Sequence, residues 1–330
     1  MRIKTDLTLR PDASVRAGFL RLVDKLAQRV VDRNLTPGCD PSEDVHSVRT
    51  TIKRLRTILR LIRPGITKTV FERENLRLKE VAHRLSLARD RQVPGIRYRR
   101  WLFSSKREHE AVAAALAGLE ADPHSESSID ETMRRAAADL EQTRRSLHRL
   151  RFAGSEWNVI ALGLREVYRQ GRKRMKTALA DGSDTDFHKW RIRLKNLYYE
   201  LQLLEPIWGK RLSKTLSHLA KLQEKIGDDH DLVVLKSLLR KDPAAFGGTD
   251  AVERIICSVD DKSRRLRRSI GPLGEAIFAL SPERFVRKLG QHWKVWRNGG
   301  AGRNAYSKLR HFEVAKAGAN NGTECPRDLR

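Results

Sequence analysis

Along most of the chain apolar residues recur every three or four positions, and no stretch keeps the strict alternation of a half-buried strand between hairpin turns. The pattern predicts an all-α fold. Helices are expected over 13–34, 43–63, 68–91, 95–119, 129–151, 156–179, 186–204 and 209–226, with further ones near 231–239, 250–270 and 282–296. The breaks between them fall at Pro37-Gly38, Pro64-Gly65, the polar run 121–128, the acidic run 181–186, Gly247-Gly248 and Gly271-Pro272. Residues 1–12 read as an N-terminal extension. Residues 13–296 read as the folded part: a first bundle over 13–119, a connecting helix over 129–151 and a second bundle over 155–296. Residues 297–330, rich in Gly, Asn and charge, are expected to form a flexible tail.

Two of these helices repeat each other. VHSVRTTIKRLRTILRLIRP (45–64) and FHKWRIRLKNLYYELQLLEP (187–206) align 142 residues apart, pairing His46 with His188, Arg49 with Arg191, Lys53 with Lys195, Leu55 with Leu197, Leu59 with Leu201 and Pro64 with Pro206. Two amphipathic helices share leucines by chance far more readily than they share His, Arg, Lys and Pro as well. Ser42 and Asp184 stand in matching positions and are expected to cap the two helices. Further on, Arg89-Asp90 corresponds to His230-Asp231. The expected architecture is two pseudo-symmetric, internally duplicated helical bundles with a shared basic groove or pore.

At about 100° per residue, His46, Arg49, Lys53, Arg56 and Arg60 fall in a stripe roughly 80° wide, beside an apolar face of Val48, Ile52, Leu55, Leu59 and Ile62. The second helix places His188, Arg191 and Lys195 alike, with Tyr198 and Gln202 where the first has Arg56 and Arg60. Trp190, Leu194, Leu197, Leu201 and Leu204 form its apolar face. Between Val45 and Arg63 there are six Lys or Arg and no acidic residue, so the stripe lacks the carboxylates that would neutralise an ordinary solvated face. A formal net charge of +26, from 67 Lys plus Arg against 41 Asp plus Glu, extends this local excess to the whole chain and points to an acidic partner. Inorganic polyphosphate, nucleic acid and an anionic surface all meet that description.

Other chemistry is thinly represented. Cys39, Cys257 and Cys325 lie far apart without zinc-ligand spacing, and the N-terminus has no signal-peptide core. No apolar stretch reaches membrane-spanning length. A soluble protein of the cytoplasm is expected. The run Asp228-Asp229-His230-Asp231 admits a metal-dependent phosphohydrolase, with His230 and Asp231 as ligands. The reading preferred is a helix-start cap at Asp228 or Asp229, with Asp231 paired to an Arg. No P-loop, nucleophile elbow or HExxH motif is present, and neither a cofactor nor a catalytic residue is expected.

At the repeated helix the sequence resembles the CHAD family, the conserved histidine α-helical domain, whose repeats begin with a pattern like HxxRxxxKRLR. His46, Arg49, Lys53, Arg54, Leu55 and Arg56 satisfy it; His188, Arg191, Lys195 and Leu197 satisfy it in part, with Asn196 and Tyr198 departing. Leu222, Gln223, Ile226, Gly227, His230 and Asp231 resemble the family's later element. The resemblance implies two four-helix-type bundles around a basic groove that binds inorganic polyphosphate without catalysis. The binding residues expected are His46, Arg49, Lys53, Arg54, Arg56, Arg60, Arg89, His188, Arg191, Lys195 and Lys221. The triphosphate-tunnel domain that often accompanies this family has an ExExK strand motif, which is missing here. A separate polyphosphate-metabolising protein would then supply the chemistry, and an association with polyphosphate granules would follow. Nucleic acid is the alternative ligand, with some of the six Trp stacking on bases.

Overall fold

A computed structural model describes residues 7–34, 41–90 and 126–299. Among them there is no strand. The helices are α1 (Val15–Asn34), α2 (Pro41–Ile62), α3 (Lys68–Asp90), α4 (Glu126–His148), α5 (Glu156–Asp181), α6 (Asp184–Leu203), α7 (Lys210–Lys241), α8 (Thr249–Ile277) and α9 (Pro282–Asn298), with single turns at Arg63–Gly65, Glu205–Trp208 and Ala244–Phe246. The helix expected over 95–119, the break at Pro37-Gly38 and the tail beyond 299 lie outside the described residues.

Helices α1 to α4 pack on one another, and α4 lies against both α1 and α3. The segment expected to connect two bundles is therefore a wall of the first. Helices α5, α6, α7 and α8 follow as antiparallel neighbours, with α9 returning onto α5. One continuous apolar core runs through both groups, from Leu22, Ile52 and Leu78 to Leu164, Trp190 and Leu289. A smaller core of Leu232, Leu239, Phe246 and Ile255 joins the far ends of α7 and α8. Residues 7–12 pack onto the helices: Leu7 and Leu9 are buried, Leu9 N–H donates to the Leu203 carbonyl, and Arg297 donates to the Pro11 and Ala13 carbonyls.

Two expected breaks are absent. Helix α7 runs unbroken through Gly227 and the acidic run, because Asp229 faces inward and its charge is met there by Arg267 and Ser263. Helix α8 continues through Gly271-Pro272. Pro272 is exposed, so the carbonyl that loses its helical partner faces water. The caps differ as well. Ser183, not Asp184, accepts from Asp186 N–H at the start of α6, and Ser42 lies within α2, which begins at Pro41. None of the described helices is long and apolar enough to cross a membrane.

The two groups of helices meet where α2 crosses α5 and α6. Gly163 of α5 makes the crossing close: a Cβ there would lie 2.2 Å from the Leu61 carbonyl oxygen, which is backbone and cannot swing aside. Gly163→Ala is expected to lower stability by about 1–3 kcal/mol, the usual cost of overpacking, and more if the helices separate. Urea denaturation checks this, with an unchanged midpoint arguing against a close crossing.

Candidate functional site

The apolar faces of α2 and α6 are buried as their periodicity requires: Val48, Ile52, Leu55, Leu59 and Ile62 on one, Trp190, Leu194, Leu197, Leu201 and Leu204 on the other. This fixes where the polar edges point. On α2, His46 is exposed, while Arg49, Lys53, Arg56 and Arg60 are half-buried beside it. Arg49 Nη1 donates to Ser86 Oγ at 2.5 Å, and Arg56 Nε donates to Asn75 Oδ1 at 3.2 Å. Both guanidiniums are thereby steadied by neutral groups of α3, and neither bond offsets their charge. Burial lowers the pKa of Arg56 from its ordinary value.

On α6, His188, Arg191 and Lys195 gather against α7. The His188 and His230 rings lie 4.8 Å apart, and the Arg191 guanidinium lies over Gly227, whose Cβ would come within 3.7 Å of it. Burial, reinforced by Arg191 and Lys195, lowers the pKa of His188. Burial, then Arg191 and His188, lowers that of His230 against the opposing pull of Asp231. Four cationic or protonatable groups thus share one small surface. His230 belongs among them as a protonatable residue, although it was not among the binding residues expected from the sequence. The signal was its place three residues after Gly227, one helical turn along the same face.

Between the helices, Arg60 Nη1 donates to Asn196 Oδ1 at 3.3 Å, and the Arg54 guanidinium lies 5.9 Å from the centre of the Tyr199 ring. Position numbers rise on α2 as they fall on α6, so the pair is antiparallel. On each helix the basic edge is displaced in the same rotational sense from the residue at this contact, Arg54 on α2 and Asn196 on α6. In an antiparallel pair that puts both edges on the same side. Beneath them Glu200 is fully buried with no hydrogen-bond partner on either carboxyl oxygen. Burial raises its pKa well above the carboxylate range, against the pull of Arg60. Arg60 in turn is lowered to about 10, first by burial, then by Arg56, with Glu200 opposing and Arg193 adding to the fall. Asn196 thus joins the site, while Arg193 lies on the opposite face of α6, towards Arg174 and Glu166 of α5.

Three expected members stand apart. Arg54 projects to the other flank of α2, towards Tyr199 and Arg29. Lys221 is exposed but lies nine residues before His230, half a turn around α7. Arg89 is in α3, and its side chain lies outside the described residues.

The acidic run on α7 is neither a helix-start cap nor an open ligand set. Asp229 is buried and held by Arg267, whose Nε is 3.0 Å from both carboxylate oxygens, and by Ser263. Arg267 also donates to the Gly182 carbonyl at 2.6 Å and to Asp184, tying α8 to the start of α6. Among the described residues no three His, Cys, Asp or Glu side chains are grouped as metal ligands. Trp190, Trp293 and Trp296 are buried, Trp157 and Trp208 half-buried, and Trp101 lies outside the described residues.

Residues 17–240 match the family described as the CHAD domain. The crystal structure of the CHAD domain from the plant Ricinus communis is similar in fold, with a TM-score of 0.52 at 19% identity, over 84% of this chain and 96% of that one. No curated protein matches the sequence.

Two stability measurements follow from the buried charges. Arg267→Ala leaves Asp229 buried without its counter-ion and is expected to cost about 3–5 kcal/mol in chemical denaturation; a loss under 1 kcal/mol would contradict the pairing. Glu200 holds its proton in the folded state at pH values where the unfolded chain, with a Glu pKa of about 4.3, has lost it. Its contribution is therefore full below that pH and is lost as pH rises towards the folded value. Glu200→Gln should flatten the fall in stability above about pH 4.3; equal slopes for the two proteins would show that Glu200 ionises normally.

Proposed function

The chain belongs to the CHAD family, and from that premise we propose that it is a non-catalytic module that binds a long polyanion, inorganic polyphosphate, along the basic side of the α2–α6 pair. The observation that carries the reading is two basic edges on the same side of an antiparallel helix pair. One is Arg49, Lys53, Arg56 and Arg60; the other is His188, Arg191, Lys195 and His230. Arginine forks grip successive phosphates, lysine adds a point charge, and the helices hold both in line. We read α2 and α6 as duplicated halves of this site. The order α1–α2–α3 recurring as α5–α6–α7 supports that reading, as does the 142-residue repeat. In this proposal phosphate chemistry falls to a separate protein. Nucleic acid is the competing ligand, and the burial of Trp190, Trp293 and Trp296 removes three candidate stacking surfaces.

Titration with long-chain polyphosphate at several salt concentrations tests the site. Replacing Arg49, Lys53, Arg191 and Lys195 together with Ala is expected to weaken binding at least tenfold and to make the salt dependence shallower by roughly 0.7 for each phosphate no longer engaged. Unchanged affinity would refute the assignment, and displacement of polyphosphate by nucleic acid at equal phosphate concentration would transfer it to the competing ligand. The histidines give a second test. With pKa values lowered by burial and by cationic neighbours, they are neutral at pH 7.5, and a bound polyanion favours their charged forms. Affinity should therefore rise as pH falls to 5.5, and His188→Ala with His230→Ala should remove most of that rise. Without ligand the sign is opposite, because a lowered histidine pKa contributes stability that is lost as pH falls below the unfolded value of about 6.5.

A further inference from the structure

A second basic concavity lies between α3 and α4. It has a volume of about 590 Å³ and is walled by Arg73, Glu74 and Arg77 of α3 with Arg145, Ser146 and Arg149 just below the end of α4, where Val70 and Leu150 add apolar contact. Asn75 and Ser86, the α3 residues that receive Arg56 and Arg49, lie about 160° around α3 from this wall, so the concavity opens away from the α2 edge.

Its floor is built around one carboxylate. Glu74 is fully buried, and it accepts from Arg73 Nε at 2.8 Å, from Ser146 Oγ at 2.7 Å and from Arg77. Arg73 Nη2 donates onward to Ser146 Oγ at 2.9 Å. A buried charge with three donors fixes both guanidiniums and removes their rotamer freedom during folding, before any ligand arrives. Arg145 is held from the other side by Glu141 at 2.8 Å, and Arg149 is exposed at the rim. Four arginines against Glu74 and Glu141 leave the concavity with a surplus of two positive charges, so an anion is favoured. The volume falls in the range of small-molecule sites and exceeds what a single phosphate fills, while the Val70 and Leu150 wall gives a place to an apolar surface.

We propose that this α3–α4 concavity binds a triphosphate group, either free or carried by a nucleotide, at a site separate from the α2–α6 surface. Fixed guanidinium forks on the floor and Arg149 at the rim grip the phosphates, and Val70 and Leu150 accept the base or sugar when one is attached.

The test is calorimetric titration of the full chain with tripolyphosphate and, separately, with ATP, in the background where Arg49, Lys53, Arg191 and Lys195 are Ala. Saturable binding near one equivalent is expected. Adding Arg145→Ser and Arg149→Ser, both at exposed positions, should weaken it at least tenfold without changing the helical circular dichroism. Tighter binding of ATP would assign a nucleotide, and equal binding a free triphosphate. In the chain with the α2 and α6 cations intact, the same two serines should remove one equivalent of tripolyphosphate and leave long-chain polyphosphate affinity within twofold, which separates this site from the other. No saturable binding in either background, or affinity unmoved by the two serines, would overturn the proposal.

Discussion

The crossing of α2 over α5 and α6 governs the rest of the molecule. It is the place where the first group of helices joins the second, and it is close because Gly163 lets the Leu61 backbone approach without a side chain between them. Beside it α2 and α6 run antiparallel, in the register that sets Arg60 beside Asn196 and Arg54 over Tyr199. Were the helices parallel, edges displaced in the same rotational sense would face opposite sides and no shared surface would exist.

A line of like charges opposes its own folding, and the structure answers this by anchoring. The buried faces of α2 and α6 hold the helices wherever their cations repel, while Ser86, Asn75 and Asn196 orient guanidiniums without cancelling them. Glu200 lies close enough to offset Arg60, but its burial favours the neutral acid. Elsewhere carboxylates meet arginines fully, as Asp229 does Arg267 and Glu74 does Arg77.

Much of this was legible in the sequence, for a physical reason. Helical periodicity reports which face is buried, and all ten apolar positions read from the two repeated helices are buried. Periodicity also placed His46, Arg49, Lys53, Arg56 and Arg60 on one edge. What it could not report were contacts between elements distant in sequence. Asp229 looked like a cap because its partner, Arg267, lies on another helix, and without that partner a polar run at Gly227 resembles a helix end. Pro272 looked like a stop because exposure, which makes its missing hydrogen bond tolerable, is a tertiary property. Arg54 and Lys221 entered through composition and motif, and angular position on the helix separates them from the others.

The two halves of the surface differ in kind. On α2 the cations are arginines and a lysine, charged throughout the physiological range. Where the first helix has Arg56 and Arg60 the second has Tyr198 and Gln202, and the protonatable groups on its side, His188 and His230, are neutral at pH 7.5 by burial and by the neighbouring Arg191 and Lys195. On the proposed reading, a polyanion along both halves would meet a permanent field at one end and a conditional one at the other. Bound phosphate favours the imidazolium forms, so the second half gains charge only when the ligand is present to stabilise it. This arrangement spares the unliganded protein part of the repulsion that a second full row of arginines would impose, at the expense of a weaker hold above neutral pH.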